Sequence, residues 1–308
     1  MKTAIITGAN AGIGFATARF LAGEPDWHVL LACRSESKAQ AALQSIARAR
    51  PRASVSTALL DLYSLASIRR FSDEVAAGQL PPIHGLVLNA GGINMKAKVL
   101  EFTEDAFEHT FQLNFLGHFL LANLLVDRLT SPSRIVYVSS DLHDPAATKM
   151  GKIMFPQYGP VEDLARATGT AARLKPMARY ATAKMYAMMT AYELDRTLRR
   201  RGKSITVNSW SPGVVPSTQA GSHMNPLLKM IMMSRWFVRF MGSHLSTEAD
   251  AGRALGGLLV DAKYAGVSGK YFDGFKEVPS SRESRDDEKA GAVRAQSWRL
   301  AGLAGAGA

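Results

Sequence analysis

Tyr180 and Lys184 are the two residues whose types and spacing point most directly to chemistry. They stand four positions apart in Tyr180-Ala-Thr-Ala-Lys184, so on a helix they share one face. A lysine ammonium beside a phenol stabilises the phenolate and lowers the tyrosine pKa toward neutrality. Tyr180 would then serve as a general acid or base. The chain has eight tyrosines, so such a pair also arises by chance and its context must decide.

Polar residues follow two apolar, strand-like runs. Ser139-Ser140 closes one run and Asn89-Ala90-Gly91 closes another. Ligands of open parallel sheets bind at the carboxyl ends of the strands, where a serine hydroxyl could hold a substrate oxygen. Strand-ending serines are also ordinary turn formers. Asn114 stands inside an apolar helical stretch, where a buried amide needs a hydrogen-bond partner. Its side chain could serve packing alone, or it could hold a water in a proton relay.

A glycine-rich turn stands near residue 1. Lys2 to Ile6 is strand-like, and Thr7-Gly8-Ala9-Asn10-Ala11-Gly12-Ile13-Gly14 leads into a helical pattern. Glycines let the backbone approach a ligand, and the free N–H groups of a helix N-terminus favour a phosphate. A strand, a glycine turn and a helix in this order predict the first unit of a dinucleotide-binding fold.

The elements that must position these residues alternate along the chain. Apolar runs predict strands at 2–6, 28–33, 55–60, 85–88, 134–138 and 204–209, and helical patterns lie at 12–23, 36–48, 64–77, 104–129 and 173–201. This alternation predicts an α/β fold, a doubly wound parallel sheet with helices on both faces.

The domain prediction is a single dinucleotide-binding domain over 1–278, which includes a predicted lid segment at 216–247. Residues 141–178 form a long insert, and 216–247 form a second irregular segment that includes the apolar, basic stretch 226–241. Long inserts in compact domains are often lids or binding loops. Residues 279–308 are predicted to be an extension, charged at first and then rich in Ala and Gly.

Composition limits the classes of function. The net charge is +11, but the densest basic cluster, at 196–203, ends a predicted helix, and no aromatic residues interleave with it. We therefore expect no nucleic-acid partner. The sequence shows no apolar run long enough for a membrane span and no secretory signal. Its single cysteine, Cys33, forms no internal disulfide and no thiolate metal site, so a cytoplasmic protein without a metal is expected.

Taken together and in order, these motifs resemble the short-chain dehydrogenase/reductase family over roughly residues 1–275. The resemblance implies one Rossmann-type domain with about seven parallel strands and an NAD(P) cofactor. It makes Tyr180 the proton donor or acceptor, and Ser140 the hydrogen-bond partner of the substrate oxygen. Lys184 would hold the nicotinamide ribose and depress the Tyr180 pKa, while Asn114 would position a relay water.

The same resemblance implies which residues contact the cofactor. Asn89 would line the adenine-ribose side, with Asp61 near the adenine. Together with Arg34, the full set is Thr7, Gly8, Asn10, Gly12, Ile13, Gly14, Asp61, Leu62, Asn89, Ala90, Gly91, Tyr180, Lys184, Pro212 and Gly213.

Arg34 decides which cofactor is expected. Dinucleotide folds that bind NAD carry an acidic residue about 20 positions after the glycines, and a basic residue accommodates the 2′-phosphate of NADP. Arg34 stands twenty residues after Gly14, and no carboxylate precedes Glu36. A guanidinium pairs bidentately with phosphate, so NADP(H) is predicted. The alternative is a surface arginine in a loop.

Within the family, the chain resembles the light-dependent protochlorophyllide reductases and the retinol-dehydrogenase-like members. The apolar stretch 226–241 predicts a lid over a bulky hydrophobic substrate, which would exchange hydride at a carbonyl or alcohol carbon. Val214 stands where the photoenzymes usually carry a cysteine, so photochemical reduction is the alternative and dark hydride transfer the main prediction. A non-catalytic NADP(H)-binding scaffold is the rival from another class. A peripheral membrane contact of 226–241 and a homodimer stay open.

Overall fold

One mixed sheet forms the centre of the protein. The computed structural model describes residues 1–93, 99–147, 155–215, 234, 238, 240 and 243–304. Within them the strands are β1 (Lys2–Thr7), β2 (Trp27–Cys33), β3 (Ser54–Leu59), β4 (Ile83–Leu88), β5 (Leu129–Val138), β6 (Ile205–Ser211), β7 (Tyr271–Asp273) and β8 (Lys276–Val278). Their order is β3-β2-β1-β4-β5-β6-β7-β8.

The first seven strands pair in parallel, and β8 pairs antiparallel with β7. The order reverses between β1 and β4, which makes a crevice at the carboxyl ends of these strands. β1 and β2 are almost entirely buried because helices cover both faces of the sheet. The predicted parallel α/β sheet is confirmed, with a short antiparallel strand added at its edge.

Helices cover the sheet on both sides. They are α1 (Gly12–Leu21), α2 (Glu36–Ala49), α3 (Leu65–Ala77), α4 (His109–Phe111), α5 (Gly117–Leu125), α6 (Val161–Arg166), α7 (Pro176–Arg200), α8 (Glu248–Val260) and α9 (Asp287–Leu300). The core on one side includes Leu21, Ile46 and Leu255. The core on the other includes Phe71, Leu120 and Val293.

The helix predicted at 104–129 differs from the one that forms. Helical structure begins at His109, passes through a π-helical turn at Gln112–Leu116 and continues as α5 to Leu125. β5 then begins at Leu129, five residues before the predicted strand at 134–138. A 3-10 turn at Val126–Arg128 follows α5, so the predicted start of this helix was wrong and its predicted end lies one residue past the last helical turn.

The chain after residue 279 contains a packed helix. Ala290 and Val293 of α9 are buried in the same core as Phe119, and the Trp298 ring meets the Phe119 ring edge-on, with 6.3 Å between centroids. α9 thus covers part of the domain that precedes it. The division of the chain at residue 278 stays a prediction.

The two irregular segments are described in part. The insert at 141–178 contains a 3-10 turn at Asp141–His143, then α6 and a second 3-10 turn at Ala171–Arg173. Of the predicted lid at 226–241, only residues 234, 238 and 240 lie within the described part of the chain, so its role stays a prediction. No helix among the described residues is long and apolar enough to cross a membrane.

Candidate active site

The glycine turn between β1 and α1 forms a tight cradle. Gly8 and Gly12 have φ values of 65° and 56°, which favour glycine. A Cβ on Gly14 would lie 2.5 Å from the Gly8 carbonyl oxygen and 2.5 Å from Asn89 Nδ2. No side chain caps α1 at Ala11, so the first N–H groups of the helix are left for another partner. Asn10 and Ile13 lie half-buried in the same turn. This cradle fits a phosphate group.

Thr7 fastens the end of β1 to the end of β4. Its hydroxyl oxygen accepts the backbone N–H groups of Asn89 and Ala90, each at 2.9 Å. The Asn89 side chain donates in return to the Thr7 carbonyl at 2.8 Å. The two strand ends are thereby held in register on either side of the crevice. Asn89 is thus a structural partner of the glycine cradle as well as a predicted ribose neighbour.

His118 of α5 completes this contact. Its Nε2 lies 3.0 Å from the Thr7 hydroxyl. Burial, with the Lys184 charge second, lowers the pKa of His118 to about 3, so the ring is neutral. Sequence analysis did not identify His118, because an isolated histidine in an apolar helix gives no hint of a partner 111 positions away.

Asn114 lies fully buried in the π-helical turn. Its amide donates to the carbonyls of Thr110 and Gly92, both at 2.8 Å, and its oxygen accepts the Gly92 N–H at 3.0 Å. The packing alternative therefore has direct support, since the side chain fixes the loop after β4 through backbone groups. Holding a relay water stays a prediction.

Gly91 brings that loop against two polar side chains. A Cβ on Gly91 would lie 2.7 Å from Asn114 Oδ1 and 3.1 Å from Lys184 Nζ. Asn114 and Lys184, predicted from separate motifs, thus meet at one glycine. Such a close approach leaves room for a backbone or a ligand but for no side chain.

Tyr180, Ser140 and Lys184 converge beside β5. The Ser140 hydroxyl lies near the Tyr180 phenol and acts to lower its pKa. Lys184 is buried one turn further along α7, donates to the Val138 carbonyl at 2.8 Å and lies 5.7 Å from the centre of the Tyr180 ring. The predicted triad of side chains is therefore assembled at the carboxyl end of β5.

The expected depression of the Tyr180 pKa is wrong for this arrangement. Burial, followed by the charge of Asp141, raises the pKa of Tyr180 to about 12, against the lowering effect of the Ser140 hydroxyl. Burial also lowers the pKa of Lys184 to about 8. Lys184 gives its hydrogen bond to Val138 rather than to the phenol, and desolvation outweighs charge at Tyr180.

Asp141 is a site residue that sequence analysis missed. One carboxylate oxygen accepts the Ser140 hydroxyl at 3.3 Å, and the other accepts the Ser243 hydroxyl at 2.9 Å. Asp141 therefore joins the loop after β5 to residue 243, which follows the apolar stretch 226–241. An acid directly after the strand-ending serines was the available sequence hint.

Arg34 stands exposed beyond β2, with its guanidinium carbon 5.2 Å from the centre of the Tyr63 ring. A cavity of about 390 Å³ opens there and is lined by Arg34, Asp61, Tyr63, Ser64, Phe102, Thr103, Glu104 and His109. The Asp61 carboxylate accepts the Tyr63 N–H at 3.0 Å, which shapes this turn. Leu62 is 3% exposed and belongs to the core, so a ligand would meet it through its backbone. Arg34 and Asp61 are thus brought together, away from Tyr180.

Pro212-Gly213 follows β6 at the same edge of the sheet. Gly213 has a φ of 67°, and a Cβ there would lie 2.6 Å from the His244 ring. His244 in turn lies 3.3 Å from a carboxylate oxygen of Asp273, and that hydrogen bond raises the pKa of His244. His244 also escaped sequence analysis.

Comparisons with known proteins identify the family to which the chain belongs. A family model described as short chain dehydrogenase matches residues 2–159. Mouse retinol dehydrogenase 13 is 36% identical over 309 residues, covering 98% of this chain and 84% of that protein. Protochlorophyllide reductase A of Arabidopsis thaliana is 31% identical over 319 residues, covering 97% and 76%.

A solved structure shares the fold. A crystal structure of an uncharacterized protein from Mycobacterium Paratuberculosis superposes with a TM-score of 0.69 at 28% identity, covering 97% of this chain and 93% of that one. The chain belongs to the short-chain dehydrogenase family of oxidoreductases.

Proposed function

We propose that this protein transfers hydride between NADP(H) and a carbonyl or alcohol carbon of a bulky hydrophobic substrate. The observation that carries the proposal is the convergence of Ser140, Tyr180 and Lys184 at the carboxyl ends of the strands, where the glycine cradle also lies. One edge of the sheet thereby offers both a phosphate cradle and an acid–base group.

The residues present fit a nicotinamide dinucleotide. The uncapped start of α1 and the bare backbone of Gly8, Gly12 and Gly14 suit the pyrophosphate. Arg34 suits a 2′-phosphate, because no carboxylate lies within ion-pair distance of it among the described residues. When bound, the nicotinamide would supply or accept the hydride.

Tyr180 is the proposed proton donor in carbonyl reduction. A phenol with a pKa of about 12 is protonated at neutral pH, as a donor to a carbonyl oxygen must be. The Ser140 hydroxyl, which lies near the Tyr180 phenol, would hold the same substrate oxygen. Lys184, with a pKa of about 8, is mainly an ammonium at pH 7 and adds positive charge beside Gly91.

The relatives support the size and polarity of the substrate. One is named for retinol and another for protochlorophyllide, both large and largely apolar molecules. Val214 has no proton to donate from its side chain, and its backbone pairs with the His244 carbonyl and the Ser246 N–H. Dark reduction through Tyr180 is therefore favoured over photochemical reduction of protochlorophyllide.

The test is a turnover assay with NADPH or NADH and four substrates: all-trans-retinal, decanal, a steroid ketone and protochlorophyllide, in light and in darkness. We expect NADPH-dependent reduction of an apolar aldehyde or ketone in darkness. Turnover of protochlorophyllide in light alone would favour the photoenzyme. Binding of NADPH without turnover of any substrate would favour the scaffold and overturn the proposal.

Tyr180→Phe tests the assignment of the proton donor. The ring stays and the acidic proton is lost, so turnover should fall by about 10²-fold or more while NADPH affinity stays within about twofold. Tyr264→Phe is the matched control, since Tyr264 packs edge-on against Phe272 on the other face of the sheet. Near-normal carbonyl reduction by Tyr180→Phe would show that another group donates the proton.

A further inference from the structure

His143 occupies a defined place beside the site without contacting Tyr180. It ends the 3-10 turn that follows Ser140 and is 1% exposed. Its Nδ1 lies 2.6 Å from the Ser140 carbonyl oxygen, and its Nε2 accepts the Ser281 backbone N–H at 3.2 Å. A backbone N–H can only donate, so Nε2 is unprotonated and Nδ1 carries the proton. The hydrogen bonds alone therefore define the tautomer.

Ser281 belongs to a buried polar segment after β8. The Tyr192 hydroxyl of α7 donates to Ser280 Oγ at 2.9 Å, and Ser284 Oγ donates to the same atom at 2.9 Å. Ser281 Oγ accepts the Ser284 N–H at 3.2 Å. The segment 280–284 is thus fastened to α7, the helix that carries Tyr180.

We infer that His143 is a positioning residue that fixes Ser140 relative to Tyr180 by joining the Ser140 carbonyl to the segment 280–284. The inference rests on the proposed function, in which Ser140 and Tyr180 share the substrate oxygen. Ser140 also accepts the Leu142 N–H on its hydroxyl, at 3.3 Å, and the His143 N–H on its carbonyl, at 3.2 Å. His143 therefore holds the Ser140 carbonyl through both its ring and its backbone N–H, and the turn between them holds the Ser140 hydroxyl through Leu142.

The surroundings keep the ring neutral. Asp141 and Asp144 of its own turn and Asp273 of β7 are the charged groups that act on it, and the Tyr271 ring meets it edge-on at 4.9 Å. All three carboxylates favour protonation, yet burial outweighs them and lowers the pKa of His143. A neutral ring is required, because a protonated Nε2 would face the Ser281 N–H.

Two substitutions separate the two ring nitrogens. Asn places an amide donor where Nδ1 stands, and Gln places an amide oxygen near the place of Nε2. His143→Gln should lower kcat about fivefold to tenfold, the worth of one hydrogen bond, without changing the KM for NADPH. His143→Asn should retain most of the kcat of the unmodified protein. Equal losses in both variants would overturn the inference.

His28→Gln is the matched control. His28 is also buried with both ring nitrogens bonded, to Ser54 and Ser56, but it lies at the amino end of β2, the opposite edge of the sheet. It should lower Tm and leave kcat unchanged. A kcat loss in His28→Gln equal to that in His143→Gln would reduce the effect to general destabilisation and contradict the inference.

The pH profile adds a readout that a purely structural role would not move. The Ser140 hydroxyl lowers the Tyr180 pKa. Displacement of that hydroxyl in His143→Gln should therefore shift the kcat/KM profile of alcohol oxidation to higher pH. An unshifted profile would contradict the inference.

Crystal structures of both variants keep the inference separate from the proposed function. Ser140 Oγ should move away from the Tyr180 hydroxyl in His143→Gln and keep its place in His143→Asn. Inactivity of the unmodified protein on every substrate would defeat the proposed function, and the Ser140 positions would still decide the inference. An unmoved Ser140 in His143→Gln would overturn it.

Discussion

Burial shifts the pKa values of Tyr180 and Lys184 in opposite directions. Burial raises the pKa of the phenol to about 12 and lowers the pKa of the ammonium to about 8. Both groups are therefore protonated at pH 7, which suits a donor in carbonyl reduction. Alcohol oxidation needs the phenolate, so it requires a change of environment around Tyr180, and an added positive charge beside the ring would provide it.

Arg34 carries the prediction about cofactor choice. Arg34→Asp removes a cation and adds an anion where a 2′-phosphate is expected, so NADPH affinity should fall far more than NADH affinity. The lost contact should cost about 1.5–3 kcal/mol, the range for hydrogen bonds to charged groups. Isothermal titration with each cofactor measures both affinities.

Arg52→Asp is the control for that change of charge. Arg52 is exposed in the turn before β3. It lies at the amino ends of the strands, whereas Arg34 lies at their carboxyl ends. Its replacement should leave the NADPH to NADH preference unchanged. Equal affinities for the two cofactors in the unmodified protein would contradict the role of Arg34.

At the scale of elements, the sequence predicted what depends on local pattern. β1, the glycine turn and α1 follow from an apolar run and three glycines. The π-helical turn at Gln112–Leu116 was not predictable from local pattern, and Asn114 within it bonds the loop after β4, a distant partner. β7 and β8 have three residues each, too few for a pattern, and α9 buries few apolar side chains. The site showed the same limit: Tyr180-x3-Lys184 was visible, whereas His118, Asp141 and His143 depend on distant partners.

Gly14→Ala tests the glycine cradle at the start of α1. The new Cβ would lie 2.5 Å from the Gly8 carbonyl oxygen, so the turn must shift. We expect a destabilisation of about 1–3 kcal/mol, the usual cost of overpacking, and a loss of NADPH affinity of about tenfold or more. Urea unfolding and cofactor titration measure the two effects.

Gly291→Ala provides the contrast within a helix. A Cβ on Gly291 of α9 has no atom within 4 Å, so alanine should stabilise the protein by about 0.5–1 kcal/mol and leave NADPH affinity unchanged. If Gly14→Ala bound NADPH as tightly as the unmodified protein, the cradle would not be the phosphate site.

For the whole molecule, buried neutral histidines couple folding to pH. His118 has a pKa of about 3 in the folded protein, below its ordinary value of 6.5. Below pH 6.5 the unfolded chain binds a proton that the folded protein does not, so stability falls as the pH falls toward 3. The pKa values of His28 and His143 are lowered as well, so these residues act in the same direction.

His118→Gln should flatten the acid limb of the stability curve. Removing this group should reduce the slope of unfolding free energy against pH by about 1.4 kcal/mol per pH unit between pH 6 and pH 4. Urea unfolding at pH 7, 6, 5 and 4 gives the slope, and His84→Gln, at the start of β4, controls for the loss of an imidazole. A slope in His118→Gln equal to that of the unmodified protein would contradict this account.

The contact between Val214 and the chain at 244–246 affects how the segment between them can differ among relatives. The Val214 N–H donates to the His244 carbonyl at 2.8 Å, and the Ser246 N–H donates to the Val214 carbonyl at 2.9 Å. The backbone on the two sides of residues 216–242 is therefore joined at one point. Lengthening the loop between these two ends adds little to the entropy cost of closing it. Residues 216–242 can therefore be exchanged between relatives as one segment. We expect its length to vary between relatives while the contact of Val214 with 244–246, and with it the end of β6, stays unchanged.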